Sequence, residues 1–394
     1  MALKNKYQRQ KEQYSTDGGI TWLDVTPPNY RKGNVIEMGS DDCNTIEWIE
    51  VDGSWFCIGT DTVTRWVVVT NEYMCSNGNK YQKEKEQISY DNGVTWSDTG
   101  NARTGSLIEA DSEDCNYANQ YLTFVALEDG TFSFTQNDIQ YSLDNGSTWA
   151  TLSANTQSPT VTTGNKILWK AENPTISTSS PMGIGIFSST GRYDVECNVM
   201  SLFYGDNFIN QTDLTGKANA FTSLFAFNTN LVNANNLVLP ATTLSNYCYG
   251  GMFQGCTSLV TAPVLPATTL TMNCYNTMFK GCTSLVTAPE LPSTTLANNC
   301  YMNMFQGCTS LTTAPVLPAT TLSLYCYSQM FDSCTSLNYI KAMFTEIPSN
   351  NNPISNWVRN VAATGTFVKN NAATWNVWGN SGIPNGWTVQ TASE

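Results

Sequence analysis

Met252-Phe253-Gln254-Gly255-Cys256-Thr257-Ser258-Leu259 returns as Met278 to Leu285, as Met304 to Leu311 and as Met330 to Leu337, each 26 residues after the last. Between these anchors runs a second phrase, Ala262-Pro263-Val264-Leu265-Pro266-Ala267-Thr268-Thr269-Leu270, echoed at Ala288 to Leu296 and Ala314 to Leu322. A period between about twenty and fifty residues marks a repeat architecture in which each unit buries its apolar side against its neighbours. Within a unit, Leu259, Ala262 and Leu265 sit in a short extended run ended by Pro266, which predicts a brief parallel strand. Cys274, Met278 and Cys282 recur every four residues, with Tyr275 and Phe279 beside them, which predicts one or two helical turns stopped at Gly281. Each unit therefore reads as a strand with a helical return, the plan of a leucine-rich repeat. A looser copy runs from Ser223 to Leu244, and Ser201-Leu202-Phe203 opens an amino-terminal cap.

The Met-Phe-x-Gly-Cys-Thr-Ser-Leu and Leu-Pro-Ala-Thr-Thr-Leu phrases resemble the BspA-type leucine-rich repeats of Bacteroidetes proteins and of the bacteriophages that infect them, crAss-like phages included. The flanks Asn198 to Phe208 and Gly382-Ile383-Pro384-Asn385-Gly386-Trp387-Thr388-Val389 resemble the flanks of that repeat in the same proteins. The resemblance covers about the second half of the chain. It implies surface display, adhesion or incorporation into a virion, and no catalytic residues.

Composition narrows the classes of function. The formal net charge of −13 and the estimated pI near 4.5 disfavour nucleic acid as a partner, because such binding rests on clustered Lys and Arg. There is no His, so neither a Ser/His/Asp nor a Cys/His arrangement is available, and no imidazole can bind zinc. Eight of the thirteen cysteines form two ladders, Cys248, Cys274, Cys300, Cys326 and Cys256, Cys282, Cys308, Cys334. Small apolar core residues look like this; pairing across repeats or a metal is the less favoured alternative. Reduced thiols point to folding in a cytoplasm. No run of residues is long enough to cross a bilayer, and the charged start, Met1 to Gln10, is not a secretory signal. A cell-surface protein needs an export route, so this start favours a virion protein released by lysis.

Ahead of the repeats lies a duplication. Lys6 to Gln13 matches Lys80 to Gln87, and Ile36 to Asn44 matches Ile108 to Asn116, at offsets of 74 and 72 residues. Two tandem β modules follow. A Ser-x-Asp-x-Gly-x-Thr-Trp motif occurs three times, at Ser15 to Trp22, Ser89 to Trp96 and Ser142 to Trp149. It resembles the Asp-box of sialidases and other β-propeller proteins. Its reading is a turn staple in which Asp17, Asp91 and Asp144 bond turn amides and Trp22, Trp96 and Trp149 cover the turn. Sialidases also need clustered arginines, a tyrosine nucleophile and a glutamate; the six arginines here are scattered, so a glycan hydrolase is a remote alternative. The acidic groups Asp41, Asp42, Asp111, Glu113 and Asp114 could ligate Ca²⁺, but a solvated turn is the favoured reading.

The expected fold is mainly β with a leucine-rich-repeat solenoid: β modules over 1–75 and 76–120, a β-sandwich over 121–200, repeats over 201–345 and a terminal cap over 346–394. No cofactor is expected. Positions that differ between near-identical repeats mark where the surface is free. Val264, Glu290 and Val316 share one such slot beside Thr261, Thr287 and Thr313, and with exposed tyrosines such as Tyr249 or Tyr301 they form a candidate binding strip. Gln254, Lys280, Gln306 and Asp332 share another slot. The expected function is a non-enzymatic bacteriophage virion appendage, a fibre or a capsid- or tail-attached protein. Its amino-terminal modules would dock to other virion proteins, and its repeats would face a host-surface glycan or protein. A Bacteroidetes surface adhesin is the alternative. Homo-oligomerisation stays open, since no heptad pattern signals a coiled-coil trimer.

Overall fold

The computed structural model describes residues 116–171, 185–349 and 351–392, and, before them, the segments 5–11, 13–14, 23–24, 30–38, 48–51, 54–57, 63–76, 79–89 and 96–109. The chain divides into two compact units, Met1–Cys115 and Asn116–Glu394. It is mainly β, with several sheets; none of the sheets formed by the described residues is a closed barrel.

In the first unit the strands are β1 (Asn5–Lys11), β2 (Gln13–Tyr14), β3 (Leu23–Asp24), β4 (Tyr30–Met38), β5 (Trp48–Val51), β6 (Ser54–Cys57), β7 (Val63–Ser76), β8 (Asn79–Ser89) and β9 (Ser97–Glu109). The duplication is carried into the pairing. β1 pairs with β4 through Lys6↔Glu37, Tyr7↔Val35 and Arg9↔Lys32. β8 pairs with β9 through Lys80↔Glu109, Tyr81↔Leu107 and Lys83↔Thr104, the same register with the same irregularities. Matching sequence has thus fixed matching register, because a slip of one residue would turn every side chain to the other face. β7 adds to β8 from its other side.

The second unit begins with a six-stranded sheet, β13-β12-β14-β10-β16-β17, made from β10 (Leu122–Ala126), β12 (Ile139–Ser142), β13 (Ala150–Leu152), β14 (Lys166–Lys170), β16 (Tyr193–Asn198) and β17 (Leu231–Val238). A two-stranded ribbon, β11 (Phe132–Phe134) with β15 (Phe187–Ser189), packs on it. Phe124 fills the space between, with ring centroids 5.3 Å from Phe132 and 4.9 Å from Phe187. All pairs in the six-stranded sheet are antiparallel except β16 with β17, which is parallel. That switch of direction hands the chain on to the repeats.

Successive repeats lie side by side, and equivalent side chains form columns. Phe253, Phe279, Phe305 and Phe331 stack at centroid distances of 5.4, 5.6 and 5.8 Å. Tyr249, Tyr275, Tyr301 and Tyr327 stack at 5.7, 6.0 and 6.0 Å. Both cysteine columns are buried and free, and thiols of the second donate to the preceding repeat: Cys282 Sγ to Phe253 O at 3.1 Å and Cys308 Sγ to Phe279 O at 3.1 Å. Large rings repeated in register explain the columns, since each apolar face finds its only cover on the neighbouring copy.

The predicted helical returns are not helices. Among the described residues the α-helix is α1 (Ser201–Tyr204), ahead of the array. In the returns, alternate residues take positive φ: Tyr247 at 65°, Tyr249 at 60°, Gly251 at 58° and Gly255 at 73°, then Asn273, Tyr275, Thr277 and Gly281 between 55° and 75°. Even-numbered N–H groups close tight turns, as Met252 to Tyr249 O and Gln254 to Gly251 O. Most odd-numbered ones cross to the next repeat, as Gly251 to Asn276 O, Phe253 to Met278 O and Gly255 to Lys280 O. An α-helix would spend all these donors within one repeat. Alternation of hand divides them between the turn and the neighbour, which offsets the cost of left-handed backbone at residues other than glycine.

The repeats also continue past the point where their rhythm fades in the sequence. Phe331 N–H donates to Trp357 O and Ser333 N–H to Arg359 O, at 2.8 and 2.7 Å, so the chain beyond the last Met-Phe anchor, expected as a terminal cap, supplies one further turn segment. Trp357, fully buried, follows Phe331 in the aromatic column at 6.3 Å. Three parallel strands, β18 (Tyr339–Ala342), β19 (Thr366–Lys369) and β20 (Thr388–Thr391), end the chain.

Candidate functional site

The extended segments of the repeats decide where a partner could bind. A parallel ladder runs along this side of the array at both ends. Val260 N–H donates to Val232 O, Ala234 N–H to Thr261 O, Ala314 N–H to Tyr339 O and Leu317 N–H to Lys341 O. Between them, no hydrogen bond among the described residues reaches the backbone N–H or C=O groups of Val286 to Leu291. The Ala-Pro-x-Leu-Pro phrase accounts for the gap. Proline has no N–H to give, so two such segments side by side cannot complete a ladder, whereas β17 and β18 contain no proline and pair with their neighbours. The predicted strand is accordingly unpaired in the middle repeat, Val286 to Leu291, while the segments at Thr261 and at Ala314–Leu317 pair with β17 and β18.

A groove of 490 Å³ lies at this gap, lined by residues 260–264 of one repeat and 286–290 of the next. Four residues of the expected strip, Thr261, Val264, Thr287 and Glu290, line it together with Val260 and Val286. Val264 is 73% exposed, far more than a valine kept for packing. Thr261 is tied down from the side: its Oγ1 lies 3.1 Å from both Asn233 Oδ1 and Asn235 Oδ1. Thr313 and Val316 are exposed one repeat further on, outside the groove, with Thr313 bridged to Tyr339. The tyrosines expected to be exposed are not part of it. Tyr249 and Tyr301 are buried at 0% and 1% exposure, because their column is core rather than surface.

The second variable slot is not free surface throughout. Asp332 is fully buried and accepts Gln306 Nε2 at 2.8 Å and the Arg359 guanidinium at 2.9 and 2.6 Å. Burial alone would raise its carboxyl; the bonds from Arg359, Gln306 and Ser333 outweigh that and hold it below the usual carboxylate range. The spacing of 27 residues from Asp332 to Arg359 is the sequence signal for this pair, masked by the loss of the Met-Phe anchor.

Of the three Asp-box motifs, the third lies wholly within the described residues. Asp144 accepts the Thr148 hydroxyl at 2.6 Å, the Thr148 N–H at 2.9 Å and the Ser142 hydroxyl at 2.7 Å. These bonds, Thr148 first, bring its carboxyl down to about 2. Asn145 and Gly146 carry φ of 55° and 86°, and Trp149 Nε1–H closes on Gly146 O at 3.1 Å. Lys170 Nζ sits 4.2 Å from the centre of the Trp149 ring and 2.7 Å from Asp206 Oδ1, which also accepts the Tyr121 hydroxyl. These groups bond chiefly to one another, although Asp144 and Thr148 stand at the surface. Trp96 of the second motif is covered by the Arg65 guanidinium at 4.0 Å. Asp17, Trp22 and Asp91 fall outside the described residues, as do Asp41, Asp42, Asp111, Glu113 and Asp114. Among the described residues no three His, Cys, Asp or Glu side chains converge on a metal position, and no helix is long and apolar enough to cross a membrane.

Arg65 bonds Gln87, Arg103 bonds Glu84, and Arg359 bonds Asp332, each in a separate local pair.

Compared with known proteins, the chain matches the BNR/Asp-box repeat family over residues 13–22, the first of the three motifs. No curated protein and no solved structure matches it.

Proposed function

We propose that the chain is a non-enzymatic attachment protein of a bacteriophage virion, a fibre or a capsid- or tail-attached appendage, in which residues 201–345 form a BspA-like leucine-rich-repeat solenoid displayed to the host surface. The observation that carries this reading is the division of labour within the repeats. Rings, thiols and methionines that are constant from copy to copy are buried in columns, while Val264 and Glu290, which occupy one varying slot, stand exposed on the rim of a groove. A column of identical cross-section is a stiff support. A groove on its side is what attachment needs. The phage assignment rests on the resemblance of the repeat phrases, and the Asp-box turns serve the amino-terminal part as fold staples, with docking to other virion proteins as its role.

Mass spectrometry of purified virions from a lysed culture tests the proposal: peptides of this chain are expected in the particle fraction. Recovery from the envelope of uninfected cells, with none in particles, would favour the adhesin-like surface protein instead. Release of sugar from sialylated glycans by the purified chain would overturn the non-enzymatic reading.

A further inference from the structure

The gap in the parallel ladder is a chemical feature as well as a geometric one. Val286 to Leu291 offer main-chain donors and acceptors that no neighbour takes, and the next segment across the groove, Ala262 to Leu265, has likewise no backbone bond to them. Exposed extended backbone with free hydrogen-bonding groups is a template for another strand. On the far side of the same two repeats the rings are only 5.4 Å apart. The groove lies between the two segments, and a ligand reaches it from the side on which Val264, Val286 and Glu290 are exposed.

We propose that this groove receives an extended polypeptide segment of small or β-branched residues that carries a basic side chain. Main-chain hydrogen bonds to Val286–Glu290 hold the strand, the valines hold its side chains and Glu290 pairs with the base. The inference rests on the attachment reading and specifies the chemistry of what is attached.

Three observations select a peptide over a saccharide. The lining is Val, Thr, Ala and Pro, with no aromatic ring on which a sugar face could stack. Glu290 is the single lining side chain with a full charge or a carboxamide, so directional side-chain contacts to a polyol are few, whereas a strand bonds chiefly through its main chain. Val260 and Val264 are four residues apart in a stretch without a bend, so both point to the same face and offer two side-chain positions to a strand lying alongside.

Charge sets the rest of the specificity. From Ala218 to Phe279 no residue is charged, although the whole chain carries −13. Within the lining Glu290 is the one charge, so an anion is repelled there and a cation attracted.

The test probes an array of random heptapeptides and a panel of neutral and sialylated glycans with the labelled full chain. Expected are peptides that alternate Val, Ile or Thr with other residues and contain Lys or Arg, with binding reduced at least tenfold by Val264→Asp. Glu290→Lys should turn the selection from basic to acidic peptides, a reversal that an unfolded variant cannot produce. Selected peptides whose charge does not change with Glu290→Lys would overturn the proposal, and so would the selection of no peptide at all. Glycan binding abolished by Val264→Asp would overturn the ligand class while leaving attachment through the groove intact. Absence of the chain from particles would instead remove the attachment reading itself.

Discussion

Replacing Tyr275 by Phe should stabilise the protein, contrary to the usual direction of core substitutions. The Tyr275 ring is 1% exposed and sandwiched between Tyr249 at 5.7 Å and Tyr301 at 6.0 Å, and its hydroxyl has no hydrogen-bond partner. A buried hydroxyl without a partner costs about 1–3 kcal/mol in lost hydration. Phe keeps the ring, its stacking and the burial, and gives up only the contacts of one oxygen, worth a few tenths of a kcal/mol. The net expectation is a gain of about 1 kcal/mol. In a unit of this size that is roughly 2 °C in Tm, measurable by calorimetry or chemical denaturation. Phe279→Ala in the adjacent column is the control: it removes a ring packed on both faces and should cost about 3–5 kcal/mol. If Tyr275→Phe instead lost more than about 1 kcal/mol, the hydroxyl would have to be bonded, and the reasoning from an unpartnered Tyr275 would fail.

Further expectations follow from the polar contacts. Arg359→Met leaves Asp332 buried without its cation and should destabilise by about 2 kcal/mol, somewhat below the figure for fully buried pairs because the guanidinium is 44% exposed. The folded carboxyl of Asp332 is lower than the unfolded one, so its contribution is present above the unfolded pKa, near 4, and is lost as pH falls through the folded value. Arg359→Met should therefore flatten the acid limb of stability below about pH 4, as followed by circular dichroism. Asp144→Ala removes three acceptor contacts and should speed hydrogen exchange at Thr148 without altering the columns; unchanged exchange at Thr148 would deny the staple role of the box. The ladder cysteines should resist thiol reagents near pH 8 until the protein unfolds, since burial pushes Cys256, Cys274, Cys326 and Cys334 up to about 12.

The interior of the array was legible because its signal is repetition of large side chains: Phe, Tyr, Met, Cys and Leu at fixed steps must meet their own copies. The backbone that places them was not, for a physical reason. Cys274, Met278 and Cys282 at intervals of four satisfy helical periodicity, yet the same spacing fits a chain that alternates hand every residue and turns side chains inward at each second pair. The available clue was Gly or Asn on alternate positions, Gly251, Gly255, Asn273, Gly281, Asn299, Asn303 and Gly307, the residue types that enter the left-handed region most readily. Tyr249 was misread as exposed because a polar hydroxyl argues for the surface, whereas the ring decides. Val264 and Glu290 of the varying slot line the groove, but the break in the ladder depends on which segments lie next to which, and single-repeat reasoning about Pro263 and Pro289 does not contain that.

Hydrogen bonds between repeats are concentrated on the turn side, where one donor in two crosses to the next copy, and are sparse on the proline side. Cohesion of the middle repeats must then come from the turns and the ring columns, each interface being nearly the same as the next. Deletion of residues 274–299, one full step of 26, joins Asn273 to Cys300 and sets Phe253 against Phe305 with most crossing bonds regenerated by an equivalent residue. The shortened chain should fold cooperatively with lower stability, by the loss of one unit and one interface. Deletion of 20 residues from the same region should not fold the array, because every ring and donor beyond the junction would face the wrong partner. If the two deletions behaved alike in calorimetry, the columns could not be what holds the repeats together, and the role of the turn-side bonds would fall with them.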